Sequence, residues 1–349
     1  MFVIALDIIV VGEKIMAVKI KDVAEKAGVS VTTVSRVLNG GKYVKDELKE
    51  KVQNAIEELE YTPSYIARSL VLKKTNLIGV IVPNITSSIN SVMLSKIEET
   101  ASENNYNILV CNMAECLDKQ FKYLNVFKQM RVDGIIITNE KLDDRTRRLL
   151  KSINMPIVFA SVDPVNQEYT SIIVDNEQAA YDAVKYLIEL EHEKIAFIGG
   201  DMRDITSGVD RYKGFQRAME DSDLQIYDSF VKFGDYTLNS GYRLMKEILE
   251  IDLIPTAVFA ASDDMAVGAI NCILDKGLKV PDDISVIGFD GTQVREIVRP
   301  QLTSMKQPIN EIGTMAVDIL IQRIDNMEME PREIILKHQL EERKSCRRI

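Results

Sequence analysis

The sequence of 349 residues predicts an α/β protein: an all-α helix-turn-helix head, a short hinge helix, and then two doubly wound parallel-sheet subdomains. Three observations predict it. Helical apolar periodicity fills Lys19 to Leu72, with its first two helices parted by Gly28-Val29-Ser30 alone. From Leu77 onward, short runs of unbroken β-branched apolar residues alternate with helical stretches. The chain is also more than twice the ~150 residues of a usual domain, enough for several folding units.

In the head, the apolar positions Ile20, Val23, Ala24 and Ala27, then Val31, Val34, Val37 and Leu38, then Leu48, Val52, Ile56 and Leu59 place three amphipathic helices around one core. Gly28 ends the first helix in a tight turn and Ser30 caps the second, which is helix-turn-helix spacing. After Pro63, Ser64 to Leu72 forms one more helical pattern, linked onward by Lys73-Lys74-Thr75-Asn76. A helix that short is unstable alone in water, so a partner chain or DNA must hold it.

In the body, the runs at 77–82, 107–111, 134–138, 156–160, 194–200, 256–262 and 284–290 read as buried strands. Unbroken apolarity implies parallel sheets covered on both faces, with a ligand site at the carboxyl ends of strands that face a cleft. Gly199-Gly200 reads as a strand-to-helix turn, and His192 as part of a surface turn before the strand at 194.

Net charge is −10, which taken whole disfavours a nucleic-acid partner. Residues 17–77, however, hold 11 Lys and Arg against 8 Asp and Glu, so the acid lies in the body and the head is mildly basic. Cys111, Cys116, Cys272 and Cys346 make neither a disulfide framework nor a zinc pattern, and read as reduced thiols of a cytoplasmic protein. With His192 and His338 the only histidines, a metal site or Ser-His-Asp triad has little material, so no metal, cofactor or catalytic group is expected. The apolar Phe2–Val11 is too short to span a membrane and lacks the flanks of a secretory signal. Residues 1–16 read as an extension upstream of a true start at Met16; N-terminal sequencing that found Phe2 in the native protein would overturn this.

The stretch IKDVAEKAGVSVTTVSRVLNG (20–40) is a helix-turn-helix whose second helix exposes Val31, Thr32, Ser35 and Arg36. Short polar side chains and one Arg suit a major groove, where Arg pairs with guanine and the Val or Thr methyl meets thymine. Together with EKV-x-x-AIEELEYTPS-x-IARSL-x-x-KKTNLIGVIVPNI, TAVFAASDDMAVGAI, GLKVPDDISVIGFD and LTSMKQP, it resembles the LacI/GalR family of bacterial transcription regulators over residues 17 to the end. FGDYTLNSG, VRPQLTS and LEERKS liken it most to the catabolite control proteins of Gram-positive bacteria.

The resemblance implies a head over 17–62, a hinge over 63–76 and a periplasmic-binding-protein-like body over 77–349. Within the body, one subdomain takes about 77–175 plus 306–338 and the other about 176–305 plus 339–349. In the hinge it implies a leucine wedge in the minor groove at Leu70, with Ala67 allowing close approach. For the effector pocket it implies Asp263, Arg211 and Tyr236, each open to the plainer reading of an ion pair or packing group within one lobe. It implies Arg299 as the fork that reads the phosphoserine of serine-phosphorylated HPr. The sequence also departs from the family. Lys19 and Lys45 stand where Thr or Ser caps are common, Asn90-Ser91 where aromatics are expected, and Arg211 where a Lys is expected.

The expected function is therefore that of a homodimeric regulator, mainly a repressor, binding operator DNA to control carbon-source genes. Its corepressor would be serine-phosphorylated HPr, or its effector a sugar or sugar phosphate. A sugar-binding receptor shares the body but lacks the head, and a sugar kinase would need a phosphate loop that the sequence does not supply.

Overall fold

The computed structural model describes residues 18–38, 44–61, 74–114, 116–139, 142–164 and 168–349. The readings at residues 1–16, Ala67 and Leu70 lie outside the described residues. The chain divides into two units, Met1–Thr75 and Asn76–Ile349.

In the first unit, α1 (Ile20–Ala27), α2 (Val31–Leu38) and α3 (Asp46–Glu58) enclose Val23, Ala24, Val34, Val52 and Ala55. Gly28 takes φ +64°, and the Val29 N–H closes back on the Ala24 carbonyl at 2.9 Å, ending α1 as glycine at that position allows. Ser30 Oγ accepts the Thr33 N–H at 3.1 Å and caps α2. No side-chain cap comes from Lys19 or Lys45. Instead Asp22 accepts the Lys19 N–H at 2.7 Å, so an acid inside the first turn ties down the start of α1.

The second unit holds two six-stranded sheets. The first lobe is built from β1 (Leu77–Val82), α4 (Ser88–Glu103), β2 (Asn107–Asn112), α5 (Leu117–Met130), β3 (Gly134–Ile137), α6 (Asp144–Ser152), β4 (Ile157–Ala160) and β5 (Thr170–Val174). The second contains α7 (Asn176–Glu189), β6 (Ile195–Gly199), α8 (Asp210–Glu220), β7 (Val231–Phe233), α9 (Leu238–Leu249), β8 (Ala257–Ala260), α10 (Asp263–Asp275), β9 (Ser285–Asp290), α11 (Val294–Ile297) and β10 (Thr303–Lys306). The chain then returns to the first lobe for α12 (Ile309–Asp325) and β11 (Glu333–Leu336), and crosses back to end at β12 (Gln339–Glu341). Strand orders are β11-β5-β4-β3-β1-β2 and β12-β10-β9-β8-β6-β7. Every pairing is parallel except β10 with β12.

Six of the seven apolar runs form internal strands, with side chains such as Ile78, Val80, Ile136, Phe197 and Phe259 fully buried; the run at 107–111 corrects its buried reading, because it forms the edge strand β2 and is partly exposed. His192 corrects its surface reading. It is 1 % exposed, with Nε2 donating to the Arg347 carbonyl at 3.0 Å and Nδ1 at 3.1 Å from Thr256 Oγ1. A tail residue far off in sequence covers the turn, and burial pushes the imidazole pKa below its ordinary value, keeping it neutral.

Candidate functional site

Between the two lobes of the second unit lies a cavity of about 410 Å³, at the carboxyl ends of their strands. From the first lobe it is lined by Asn84, Thr86, Ser87, Ser88, Asn90, Asn139 and Ser161, among others. The second lobe supplies Asp204, Ser207, Arg211, Asp235, Tyr236, Asp264 and Asp290. Three non-glycine residues on this wall, Ser161, Tyr236 and Asp290, hold positive φ (+64°, +64° and +110°). Strain of this kind persists where the surroundings over-determine it, and it clusters at functional sites.

Arg211 rises from α8 and is 5 % exposed. Its Nε donates to Asn176 Oδ1 at 2.8 Å and its Nη1 to the Ala261 carbonyl; Asp290 Oδ1 is 3.6 Å away, and the guanidinium lies 3.8 Å over the Phe289 ring. Burial pushes the Asp290 carboxyl up to about 8; Arg211 works against that shift and the nearby Asp263 charge adds to it. Arg211 thus lines the cavity and also makes the ion pair within one lobe that the plainer reading described.

Asp263 requires a correction. It is not part of the cavity wall; it is fully buried, and its carboxylate accepts from the Thr292 N–H at 2.6 Å, the Thr292 hydroxyl at 3.0 Å and the Ser304 hydroxyl at 2.5 Å. Burial raises its pKa to about 6 in spite of these donors. The wall residue is its neighbour Asp264, because successive positions in the first turn of a helix point about 100° apart. Asp264 reaches across the cleft: the Ser88 hydroxyl donates to its Oδ1 at 2.7 Å and the Ser88 N–H to its Oδ2 at 3.4 Å, so a carboxylate of one lobe caps a helix of the other.

Tyr236 lines the cavity as the sequence suggests, its hydroxyl donating to Ser207 Oγ at 3.0 Å. Its ring lies flat on Gly200, where a Cβ would come within 1.8 Å of the ring. That contact explains the second glycine of the Gly199-Gly200 turn. The segment Ser87-Ser88-Ile89-Asn90 lies at the start of α4 and lines the cavity; of Asn90-Ser91, which stand where aromatics are expected, Asn90 is on the wall. Asp204, Asp235, Asp264 and Asp290 are not among the sequence-predicted site residues; the second acid of Ser262-Asp263-Asp264 and the Asp290-Gly291 end of β9 were the available signals.

Two further surfaces matter. On α2, Val31, Thr32 and Arg36 are exposed, Ser35 is half-buried and Val34 is buried, which gives the helix an outward face of short side chains and one guanidinium. At the end of α11, Arg299 is exposed and its Nη1 donates to the carbonyls of Glu296, Ile297 and Val298 at 2.8, 2.9 and 3.0 Å. The adjacent Ile297 is 74 % exposed. Among the described residues no group of His, Cys, Asp and Glu is arranged to hold a metal, and no helix is long and apolar enough to cross a membrane.

A helix-turn-helix unit on the same chain as a two-lobed body with an interlobe cavity defines the class of two-domain bacterial transcription regulators. The chain belongs to the LacI family. Its residues 19–64 match the model of bacterial regulatory proteins of the lacI family, and residues 184–346 that of the periplasmic binding protein-like domain. It is 39 % identical to catabolite control protein A of Priestia megaterium over 333 residues, covering 95 % of this chain and 100 % of that one. It is 38 % identical to the HTH-type transcriptional repressor PurR of Histophilus somni (strain 129Pt) over 330 residues, covering 94 % and 98 %. Its fold matches a Lac repressor dimer bound to operator and the anti-inducer ONPF with a TM-score of 0.85 at 30 % identity, over 94 % and 98 % of the chains.

Proposed function

We propose that this regulator is a cytoplasmic, homodimeric repressor of carbon-source genes under catabolite control. Arg36, with Val31, Thr32 and Ser35, reads base edges in the major groove of each operator half-site, and Ala67 and Leu70 serve the minor groove between them. Arg299 takes the phosphate of a serine-phosphorylated carrier protein, HPr. The observation that carries this reading is the pairing of an exposed, backbone-anchored Arg299 with the exposed Ile297, on a chain 39 % identical to a catabolite control protein. One guanidinium nitrogen is fixed on carbonyls, which orients the rest of the fork before a phosphate arrives. A second reading, a repressor answering to a small molecule, is favoured by the interlobe cavity and the PurR relative.

Operator binding measured with and without serine-phosphorylated HPr tests the proposal. It predicts tighter binding with the phosphoprotein, loss of that enhancement in Arg299→Ala, and at least about tenfold weaker operator binding in Arg36→Ala, the cost of one bidentate base contact. Enhancement that survives Arg299→Ala removes the phosphate role. Normal binding by Arg36→Ala removes the DNA-reading face.

A further inference from the structure

The cavity carries more than a volume, because its charges are one-sided. Among the described residues four carboxylates line it, from Asp204, Asp235, Asp264 and Asp290, against the guanidinium of Arg211. That guanidinium is already committed to Asn176, the Ala261 carbonyl and Asp290, and stacked on Phe289. Setting aside Asp290, which pairs with Arg211, and Asp204, which has contacts of its own, the carboxylates of Asp235 and Asp264 remain on the wall. Arg203 stands in an adjoining hollow that shares Asp204, Asp235 and Tyr236 with the cavity, and its guanidinium grips Asp201 through both carboxylate oxygens at 2.6–3.0 Å.

The second place an anion could bind is a helix N-terminus, where free N–H groups gather. Among the described residues, besides the short turn at Ile205–Val209, three α-helices begin at the cavity, and each already has one acceptor on its first turn. Asp264 takes the Ser88 N–H of α4, Thr237 Oγ1 takes the Ser240 N–H of α9 at 3.1 Å, and Ser262 Oγ takes the Met265 N–H of α10 at 3.1 Å. On α4 that acceptor is itself an anion. A phosphate entering the cavity would meet these carboxylates, and on each of the three helices one first-turn N–H that is already taken.

A cation meets the opposite. Burial works against the charge of Asp235, but hydrogen bonds from Thr237 and Ser240 outweigh it and hold the carboxyl below its usual range. Beside it the Tyr236 ring lines the cavity, and the amides and hydroxyls of the first lobe suit hydroxyl groups. We propose that the cavity is selective for a protonated amine that also carries several hydroxyls, an amino sugar in chemical class, and that it rejects phosphorylated sugars. Asp235 and Asp264 set this preference, receiving the ammonium by charge-assisted hydrogen bonds while the first lobe covers the hydroxyls. The inference rests on the reading of the cavity as an effector site and replaces the sugar phosphate expected there.

The test is calorimetric titration of the full-length protein at pH 6.5 with glucosamine, glucose and glucose 6-phosphate, beside operator binding by the same sample. The expected order is glucosamine tighter than glucose by about tenfold or more, with no binding of glucose 6-phosphate at concentrations that saturate the amine. In the Asp235→Asn, Asp264→Asn double variant the preference for the amine over glucose falls to about threefold or less. If that variant does not fold, Asp264→Asn alone should lower the amine preference while leaving glucose binding unchanged. Equal affinities for amine and glucose, binding of the phosphate as tightly as the amine, or no binding by any of the three overturns the proposal. Retained operator binding in that sample shows that only the cavity assignment has failed; its loss would sink the regulator reading instead.

Discussion

The two lobes of the body share a layout of six strands with helices on both faces, yet they bring opposite chemistry to the cavity between them. Among the described residues every charged one on the wall, Asp204, Arg211, Asp235, Asp264 and Asp290, belongs to the second lobe. The described first-lobe wall contributes amides, hydroxyls and apolar groups. Charge on one wall discriminates between ligands, and neutral hydrogen-bonding groups on the other let it close without desolvating a second set of ions. The asymmetry extends beneath the wall, where Asp263 and the Arg211–Asp290 pair are buried in the second lobe.

The largest break in this comparison should come from Asp263→Ala. The substitution strips acceptors from the Thr292 N–H and the hydroxyls of Thr292 and Ser304, all in residues 3 % exposed or less. Leaving buried donors unsatisfied costs ~1–3 kcal/mol each, so a loss of about 4 kcal/mol is expected, seen as a fall of roughly 10 °C in the thermal midpoint. The first-lobe control is Thr86→Ala, an exposed wall residue bonded only to Asn84 at 2.8 and 3.0 Å, for which a change under about 0.5 kcal/mol is expected. Equal losses from the two variants would end the distinction between a structural charged lobe and a covering neutral one.

Sequence could show the apolar strands because a parallel strand buried on both faces has only one way to look, as Val158, Phe159 and Ala160 illustrate. It could not show β10, whose Thr303 and Ser304 are fully buried and carry hydroxyls where the pattern asks for aliphatics. Those hydroxyls are satisfied by residues far along the chain, Asp263 and Arg343. The short edge strands β7, β11 and β12 were invisible for a different reason: partial exposure erases the apolar run. The same limit governs the site. Arg211 and Tyr236 were legible through family motifs, whereas the choice between Asp263 and Asp264 depends on how the first turn of α10 rolls against β9 and β10. Asp290 and Asp204 reach the cavity from turns whose geometry only the tertiary fold sets.

Asp290→Asn should produce a smaller and pH-dependent effect. The folded-state pKa of about 8 lies above the ~3.9 of an unfolded aspartate, so the protonated carboxyl stabilises the fold at low pH. That contribution is lost as pH rises through 8. Between pH 6.5 and 8 the wild type should lose about 1.6 kcal/mol relative to Asp290→Asn, whose amide cannot ionise. Taking the difference between the two proteins cancels His192 and the thiols, which titrate identically in both. Parallel stability curves over this window would show that Arg211 keeps Asp290 ionised throughout.

The smallest effect is expected where the lobes touch. Ser88→Ala removes the 2.7 Å bond to Asp264 and leaves both lobes' cores intact, so the thermal midpoint should barely move. One hydrogen bond to a charged group is worth about 1.5 kcal/mol, and this one exists only while the lobes are closed, so its loss shifts the balance between closed and open forms by roughly tenfold. Small-angle scattering of the ligand-free protein should then show a larger radius of gyration in the variant, with the difference vanishing when ligand saturates the cavity. An unchanged radius without ligand would mean that closure rests on other contacts, such as the Asp163 N–H to Thr206 Oγ1 bond at 3.3 Å on the opposite side of the cleft's polar rim. Asp264 would then serve the ligand alone, and the charged wall would discriminate without also acting as the latch.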